Sequence, residues 1–500
     1  MSTAADSTVP TGTFIGHPRG LATLFNVELW ERFSYYGMRA ILLYYIVDTA
    51  AHDGLGIEES VGEAIVAIYG ATVYLLSIVG GWLADRVVGA QRSVLYGGLV
   101  IMSGHISLAT PVAGSAWLGI ALVALGTGLL KPNVSTMVGH LYQEQDARRD
   151  SGFTIFYMAI NIGALASPLV VGLLRSTWGY HAGFAAAAVG MAIALVLYYV
   201  GRGSLAGESL RVPNPLSELE RRLLPVRVVG VLVAVAVLVL ASRSWRETSF
   251  DAVMDAISIL SAGGSIVYFA VMFLSDKVSA RERRHLTAYI PLWLAAMLFW
   301  MIFEQAANKM ASFAQERTDL NSMGLTFQPE WFQSINPLAI IILAPAFSWV
   351  WIRRAGRFPN TPVKFALGVG IVGLSFVFLG TMSNAYPGAS APIWVLGSVF
   401  VIQTVAELHL SPVGLSATTV LAPKAFASQA MTLWFLASAT GQSVAAQAIR
   451  ATEDIADGTF FMVLGSGALA FGVFLALISR WLHERMRDAE PHHGAADAVA

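Results

Sequence analysis

The chain of 500 residues has no cysteine and few charged residues. The absence of cysteine excludes disulfides, thiol catalysis and cysteine metal sites, although it leaves the compartment open. Charged residues make up 13% of the chain, well below the share of about 25% in soluble proteins. The net charge of −1 gives no indication of nucleic-acid binding.

The sequence also lacks the motifs of common enzyme classes. It contains no His-Glu-x-x-His and no Gly-x-Ser-x-Gly, and no lysine follows a glycine, which excludes a P-loop. We therefore expect no enzyme, no metal and no cofactor. A carboxylate-based membrane hydrolase and a peptide-sensing receptor remain as alternatives, although the chain has no sizeable polar domain for signalling.

Apolar residues dominate the composition and fall into long blocks. They make up 56% of the chain, the mean hydropathy is +0.62, and many blocks are about 20 residues long, the length of a membrane-crossing helix. Residues 1–20 lack the basic-then-apolar order of a cleaved signal peptide, so we expect the first span to remain. The pattern predicts an all-α integral membrane protein with fourteen spans, at 21–48, 61–84, 93–112, 116–138, 152–174, 180–200, 226–241, 252–274, 287–313, 332–352, 362–382, 392–421, 427–449 and 459–480.

Basic residues predict the orientation. With both termini inside, 22 of the 31 Lys and Arg fall in inside segments or at the inner ends of spans, five fall in outside loops and four fall deeper within spans. The basic segments 202–227 and 277–284 both belong inside, so the ambiguous block 226–241 must pair with 252–274. The predicted organisation is a tail (1–20), six spans (21–200), a linker (201–225), an inserted pair (226–274), a loop (275–285), six spans (286–482) and a tail (483–500).

The two six-span halves show a weak repeat. The fourth span carries Leu-Lys-Pro at 130–132, and the twelfth carries Leu-Ser-Pro at 410–412. Proline removes a helical hydrogen bond, so we predict that each proline breaks its helix. Paired interrupted helices in corresponding positions point to a transport site near the midplane.

Ionisable side chains within the predicted spans are the main functional signal. Each costs roughly 2.5–3.5 kcal/mol at the centre of a bilayer unless it is compensated. The set that we single out has eight members: Glu28, Glu31, Arg32, Arg39, Lys131, Glu304, Lys309 and Glu407. Four are acidic and four are basic, so pairing in a protected interior is the obvious compensation. Lys309 lies near the outer end of its span, where we interpret it as snorkelling to the interface.

The first span concentrates these charges on one face. At about 100° per residue, two carboxylates, two guanidiniums and two phenols share a face: Glu28, Arg32, Tyr35 and Arg39 at its centre, with Glu31 and Tyr36 on either side. A structural Glu28–Arg32 pair is the simpler alternative, but it leaves Glu31 and Arg39 unexplained. A neighbouring arginine can change the proton affinity of a carboxylate, so we predict that this face handles protons.

Three stretches resemble a known family. Residues 28–36, ELWERFSYY, match the ExxERFxYY motif of the proton-dependent oligopeptide transporter family, a branch of the major facilitator superfamily. Residues 153–163, FTIFYMAINIG, resemble the family's fifth-helix signature, and 80–92, GGWLADRVVGAQR, resemble the superfamily's loop between helices two and three. The resemblance extends over essentially the whole chain and includes the inserted pair of bacterial members.

This resemblance implies two six-helix bundles plus the inserted pair, and symport of di- and tripeptides with protons across the bacterial inner membrane by a monomer in contact with lipid. It implies that Tyr36, Arg39, Tyr74 and Lys131 meet the carboxylate end of the peptide, and that Asn161, Asn336 and Glu407 meet its amino end. Trp434, Phe435 and Ser438 would line a side-chain pocket. Arg39–Glu304 and Lys131–Glu407 would be gating salt bridges.

One departure from the family matters for the proton. Animal members use a histidine in the second helix, and residues 61–84 contain none. Proton coupling is therefore expected at Glu28, Glu31 and Glu304, with Arg32 as the partner of the first two. The alternative substrate on the same fold is another small solute, such as nitrate or a peptide-like drug, but Glu407 favours a substrate that bears an amine.

Overall fold

The computed structural model describes residues 13–143, 145–322, 324–354, 358–487 and 489, and the chain there is mostly α-helical. Fourteen helices of 19 residues or more lie at the fourteen predicted spans, which confirms the predicted fold class. The helices are α1 Gly20–Val47, α2 Glu59–Leu83, α3 Ala90–Ala109, α4 Ser115–Gly139, α5 Arg149–Trp178, α6 Tyr180–Gly201, α7 Glu218–Ser242, α8 Ser249–Leu274, α9 Ala280–Phe303, α10 Lys309–Glu316, α11 Ile335–Arg353, α12 Thr361–Ala385, α13 Ile393–Leu421, α14 Ala427–Ala451 and α15 Asp457–Met486, of which α10 is the one short member.

Eleven of these spans are long and apolar enough to cross a membrane by composition alone. The exceptions are α1, α3 and α14. Helix α1 falls outside that class because it carries the charges of the predicted proton site. Three two-residue strand pairs complete the described structure: Thr13–Phe14 with His17–Pro18, Thr318–Asp319 with Ala391–Pro392, and Asn321–Ser322 with Leu325–Thr326.

The seventh span begins earlier than predicted. Helix α7 starts at Glu218 rather than at 226 because Ser217 and Glu220 form a capping box, in which each side chain bonds to the backbone N–H of the other residue. Pro225 therefore lies inside the helix, in a stretch that composition alone marks as linker. Helix α9 starts with the same device, formed by Ser279 and Glu282.

The predicted breaks at Pro132 and Pro412 are wrong, because both α4 and α13 run through their prolines without interruption. An open break would leave backbone groups unsatisfied in lipid, and neighbouring side chains can take over a lost hydrogen bond. In α4, Asn133 Nδ2 donates to the carbonyl of Leu129 at 2.7 Å and to that of Gly80 at 3.3 Å, so this amide ties α4 to α2 beside the proline.

The observed interruption lies in the ninth span. Helix α9 ends at Phe303, a 3₁₀ turn covers Glu304–Ala307, and α10 restarts at Lys309. Asn308 has φ −128° and ψ −102° and caps α10, because its Oδ1 accepts from the N–H of Lys309 at 2.9 Å. Glu304 is thus the first residue of the interruption.

The described chain divides into two compact units. One takes in the chain up to Glu58 together with Thr72–Ala256, and the other takes in Glu59–Ala71 together with the chain from Ile257. The first half of α2 therefore belongs to the second unit. The predicted 6+2+6 organisation remains a prediction.

Glycine pairs bring helices together inside each unit. In the first unit, a Cβ on Gly126 of α4 would lie 2.6 Å from the carbonyl oxygen of Gly97 in α3. In the second unit, a Cβ on Gly465 of α15 would lie 2.6 Å from the carbonyl oxygen of Gly373 in α12. Real Cβ atoms do not come so close, so both helix pairs depend on glycine at these points. Close backbone contact of this kind is typical of helix packing in membranes.

Candidate functional site

The charged face of α1 is buried in the first unit and forms a three-residue cluster. Arg32 Nε lies 2.8 Å from Glu28 Oε1 and 2.7 Å from Glu31 Oε2. The three side chains are 4% exposed or less. One guanidinium thus faces two carboxylates, so the cluster carries one excess negative charge when all three groups are ionised. This confirms that the Glu28–Arg32 pair forms, and it places Glu31 on the same arginine.

Helix α5 covers this cluster because it has glycine at the crossing point. A Cβ on Gly163, within the predicted signature 153–163, would lie 2.4 Å from the carbonyl oxygen of Leu29 and 3.0 Å from Cβ of Arg32. Any side chain at 163 would push α5 away from α1. Gly163 therefore lets α5 pack directly against the backbone of α1 beside this cluster.

Two tyrosines extend the cluster along α1. The guanidinium of Arg32 lies 5.7 Å from the ring centroid of Tyr35, and the ring of Tyr36 packs edge-on against that of Tyr35 at 5.3 Å. Tyr36 and Arg39, both predicted to bind substrate, are half-buried on the same helix, whereas Tyr35 is buried. Tyr36 and Arg39 are therefore more exposed than the buried residues Glu28, Glu31 and Arg32.

Lys131 joins this neighbourhood from α4. Its Nζ lies 4.2 Å from the ring centroid of Tyr74 on α2, a cation–π contact. Lys131 also lies close enough to Glu31 for their charges to interact. The structure therefore brings together Lys131 and Tyr74, as predicted, and it connects both to the α1 cluster through Glu31.

Asn161 is buried on α5 in the same unit. Its Nδ2 donates to the carbonyl oxygen of Tyr157 at 3.0 Å, the residue one turn earlier. This bond fixes the orientation of the amide and engages one of its two N–H groups.

In the second unit, the structure brings together Asn336 and Glu407. Asn336 Nδ2 donates to Glu407 Oε2 at 3.0 Å and to Thr404 Oγ1 at 2.9 Å. Glu407 also interacts with the charge of Glu304. The polar partner of Glu407 is a neutral amide, and Thr404 is a member of this site that the sequence reasoning did not identify.

The predicted side-chain pocket residues lie on one stretch of α14. Trp434 and Ser438 are buried and Phe435 is half-buried. The indole of Trp434 lies directly on the backbone of α13, because a Cβ on Gly414 would fall 2.1 Å from the ring. Gly414 therefore sets how deep this indole sits.

The sequence reasoning missed several buried acids, of which Glu63 is one, and misinterpreted one base. Glu63, inside the predicted span 61–84, is fully buried and was not counted among the buried charges. Lys309 does not snorkel: its Nζ lies 3.3 Å from Glu63 Oε2 and 3.0 Å from Asp457 Oδ1. A charged residue at position 63 of an apolar span was the signal available. Its partner at 309 is far away in sequence, so the pairing was not predictable.

Other parts of the site prediction stay predictions. Each of the gating pairs Arg39–Glu304 and Lys131–Glu407 joins residues of different units. The roles in proton and peptide binding also stay predictions. Among the described residues, no group of three or more His, Cys, Asp or Glu side chains is arranged to hold a metal ion.

Comparison with known proteins gives consistent matches over nearly the whole chain. The sequence model of the POT family matches residues 91–463. An uncharacterized transporter of Bacillus subtilis is 45% identical over 96% of this chain and 97% of its own length. The di-/tripeptide transporter of Lactococcus lactis subsp. cremoris is 43% identical over 95% of this chain and 98% of its own length.

Solved structures agree with these matches. The crystal structure of a variant of peptide transporter POT in complex with alafosfalin superimposes with a TM-score of 0.90 at 45% identity. The superposition covers 96% of this chain and 98% of that one. The similarity therefore extends to sequence and fold together.

Proposed function

We propose, from the premise that this chain belongs to the POT family, that it is a proton-coupled symporter that imports di- and tripeptides. It is a multi-pass plasma membrane protein with the major facilitator fold, and it is a transporter rather than an enzyme. Both termini are proposed to be cytoplasmic, as the basic residues predict, and the protein is proposed to act as a monomer in the lipid bilayer.

The observation that carries this proposal is the pairing of acids and bases in the buried sites. A zwitterionic peptide needs a cationic subsite for its carboxylate and an anionic subsite for its amine. Lys131, beside Tyr74, and Arg39, beyond the α1 cluster, supply cations. Glu407, which accepts a hydrogen bond from the neutral amide of Asn336, supplies the anion. Contacts to the two termini tolerate many side chains, so one site can accept many peptides.

We assign roles to the individual residues on this basis. Tyr36 and Tyr74 would accompany the two cations at the carboxylate end, and Asn161 and Asn336 would accompany Glu407 at the amino end. Trp434, Phe435 and Ser438 would contact peptide side chains. The pairs Arg39–Glu304 and Lys131–Glu407 would form and break as gates.

Proton coupling is assigned to Glu28, Glu31 and Glu304. Arg32 is shared between Glu28 and Glu31 at nearly equal distances. Protonation of either acid therefore leaves the guanidinium paired with the other. A proton can thus be gained or lost without stranding a buried cation, which would cost about 3–5 kcal/mol.

Uptake by purified protein in liposomes tests the proposal. An acidic exterior should drive accumulation of dialanine, and a protonophore should abolish it, because the proton gradient is the energy source. Uptake that follows the peptide gradient alone, with no response to the protonophore, would contradict proton symport. Accumulation of nitrate but not of dialanine would favour the alternative substrate.

A further inference from the structure

The first half of α2 carries an acid that the assignments above do not use. Glu63 is 0% exposed. Lys309 of α10 faces it at 3.3 Å, but the same ammonium lies closer to Asp457 of α15, at 3.0 Å. Asp457 also has Arg317 at 3.3 Å. Ser312 and Lys309 are the donors near Glu63, and in the described chain neither makes a hydrogen bond of good geometry to its oxygens. The cation that balances the negative charge of Glu63 is therefore one lysine, which is also paired with Asp457.

The other groups around Glu63 do not add a positive charge. Glu59, one turn earlier on the same helix, adds a negative one, and Ser312 of α10 is a neutral hydroxyl. Asp457 is the other acid that contacts Lys309, so it competes with Glu63 for the same ammonium. The electrostatic surroundings of Glu63 thus consist of two acids, one shared ammonium and one hydroxyl.

This arrangement favours the protonated carboxyl. A buried carboxylate that lacks well-formed hydrogen bonds has lost its hydration without full replacement, which costs free energy. A neutral carboxyl avoids most of this desolvation cost. When Glu63 is protonated, Lys309 stays paired with Asp457, so no cation is stranded. If the first half of α2 separates from α10, water reaches Glu63 and the charged form becomes the stable one. Proton binding and burial of Glu63 are therefore linked.

The segment that Glu63 anchors is a defined one. Glu59–Ala71 belongs to the second unit. Near its start, Ser60 Oγ accepts from Arg450 Nη1 at 2.8 Å. Near its end, Gly70 packs against the amide of Gln442, since a Cβ there would overlap that side chain. The segment thus has further polar and packing contacts, and Glu63 is its buried carboxylic acid.

We infer that Glu63 is a further proton-binding site of this transporter, and that a proton taken up there stabilises the packing of Glu59–Ala71 against α10 and α14. The inference rests on the proposed proton symport. In the predicted orientation α2 begins on the outer side, so this proton comes from outside the cell. An acidic exterior then favours the packed form of the segment.

Distance measurements between spin labels test the inference, and the cysteine-free sequence allows labels to be placed at chosen sites. One label replaces Glu58, just before α2, and the other replaces Asp454, before α15; both positions are exposed. For the unsubstituted Glu63, the ratio of packed to separated populations should rise between about pH 8 and about pH 5. The rise can reach about tenfold per pH unit, the limit for one linked proton.

Two substitutions decide the outcome. Glu63→Gln mimics the protonated acid, so the packed population should be high at both pH values. Glu59→Gln makes the same chemical change one turn earlier, at a half-buried position, and should keep the pH response. A Glu63→Gln protein that responds to pH like the unsubstituted chain overturns the inference, and so does a distance that never depends on pH. Gel filtration confirms that each variant is folded.

Uptake assays on the same proteins separate this inference from the proposed function. If proton-driven uptake fails in the unsubstituted protein while the label distance still depends on Glu63, symport is wrong and the proton site stands. If uptake is proton-driven and the distance ignores Glu63, the reverse holds. Where Glu63→Gln still transports, the number of protons per peptide, measured from the reversal potential, should fall.

Discussion

The shared guanidinium of Arg32 leads to a prediction about pairs of substitutions. Its Nε is 2.8 Å from Glu28 and 2.7 Å from Glu31. Replacing either acid with Gln keeps the shape and leaves Arg32 with one carboxylate, so each single variant should lose less than about 1 kcal/mol of stability. The double variant leaves a buried, unpaired guanidinium and should lose roughly 3–5 kcal/mol. The coupling between the two sites is therefore far from additive.

Thermal unfolding in detergent, measured for all four proteins at one pH, gives this coupling. Liposome assays on the single variants give the functional counterpart: Glu28→Gln or Glu31→Gln should abolish gradient-driven uptake and spare peptide counterflow, which needs binding but no net proton flux. The shared-arginine account would be refuted if the double variant lost no more stability than the two single variants lose together. If both transport activities survive in both single variants, the proton site lies elsewhere and Glu304 is the next candidate.

Three further predictions follow from individual contacts. Gly163→Ala should destabilise the protein by about 1–3 kcal/mol through overpacking against Leu29, whereas Gly230→Ala, where a Cβ meets nothing within 4 Å, should not; thermal unfolding compares them. Acetylation of the amine should weaken competition by dialanine about tenfold or more by removing a charge-assisted bond to Glu407; unchanged competition would mean that Glu407 does not bind the amine. Lys309→Met should cost up to about 3–5 kcal/mol at a pH high enough to ionise Glu63, and less at lower pH or in Glu63→Gln; equal losses would restore the snorkelling interpretation.

The fold was predictable because membrane insertion constrains local sequence. Apolar blocks of helical length, together with the distribution of basic residues, placed all fourteen long helices. The helix boundaries and breaks were mispredicted where individual side-chain contacts, rather than composition, determine where a helix begins or ends. The capping box at Ser217 and Glu220 starts α7 inside a polar stretch, and α4 runs through Pro132, where a break was expected. The interruption at Glu304 contains neither proline nor glycine, so it left no local signal.

The site was predictable to the extent that it lies on one helix. Helical spacing placed Glu28, Glu31 and Arg32 on neighbouring positions, and the structure shows them in contact. Contacts between helices are a different matter. The family resemblance implied one peptide end for Lys131 and Tyr74 and the other for Asn336 and Glu407, but it did not predict their contacts. Glu63, Lys309 and Asp457 have neither a shared helix nor a motif. Their positions are set by packing within the second unit, which a single sequence does not display.

Two clusters of this protein, at Arg32 and at Lys309, have a common arrangement that fits the proposed proton transfer better than stabilisation. Arg32 has two carboxylates, and Lys309 also has two, Glu63 and Asp457. A cation with two acidic partners stays paired when one of them is protonated. A salt bridge that serves only stability does not require a second acid. Even a single buried pair is often no more stable than apolar replacements. Duplicate acids around a single base are therefore what the proposed proton handling would require of both clusters.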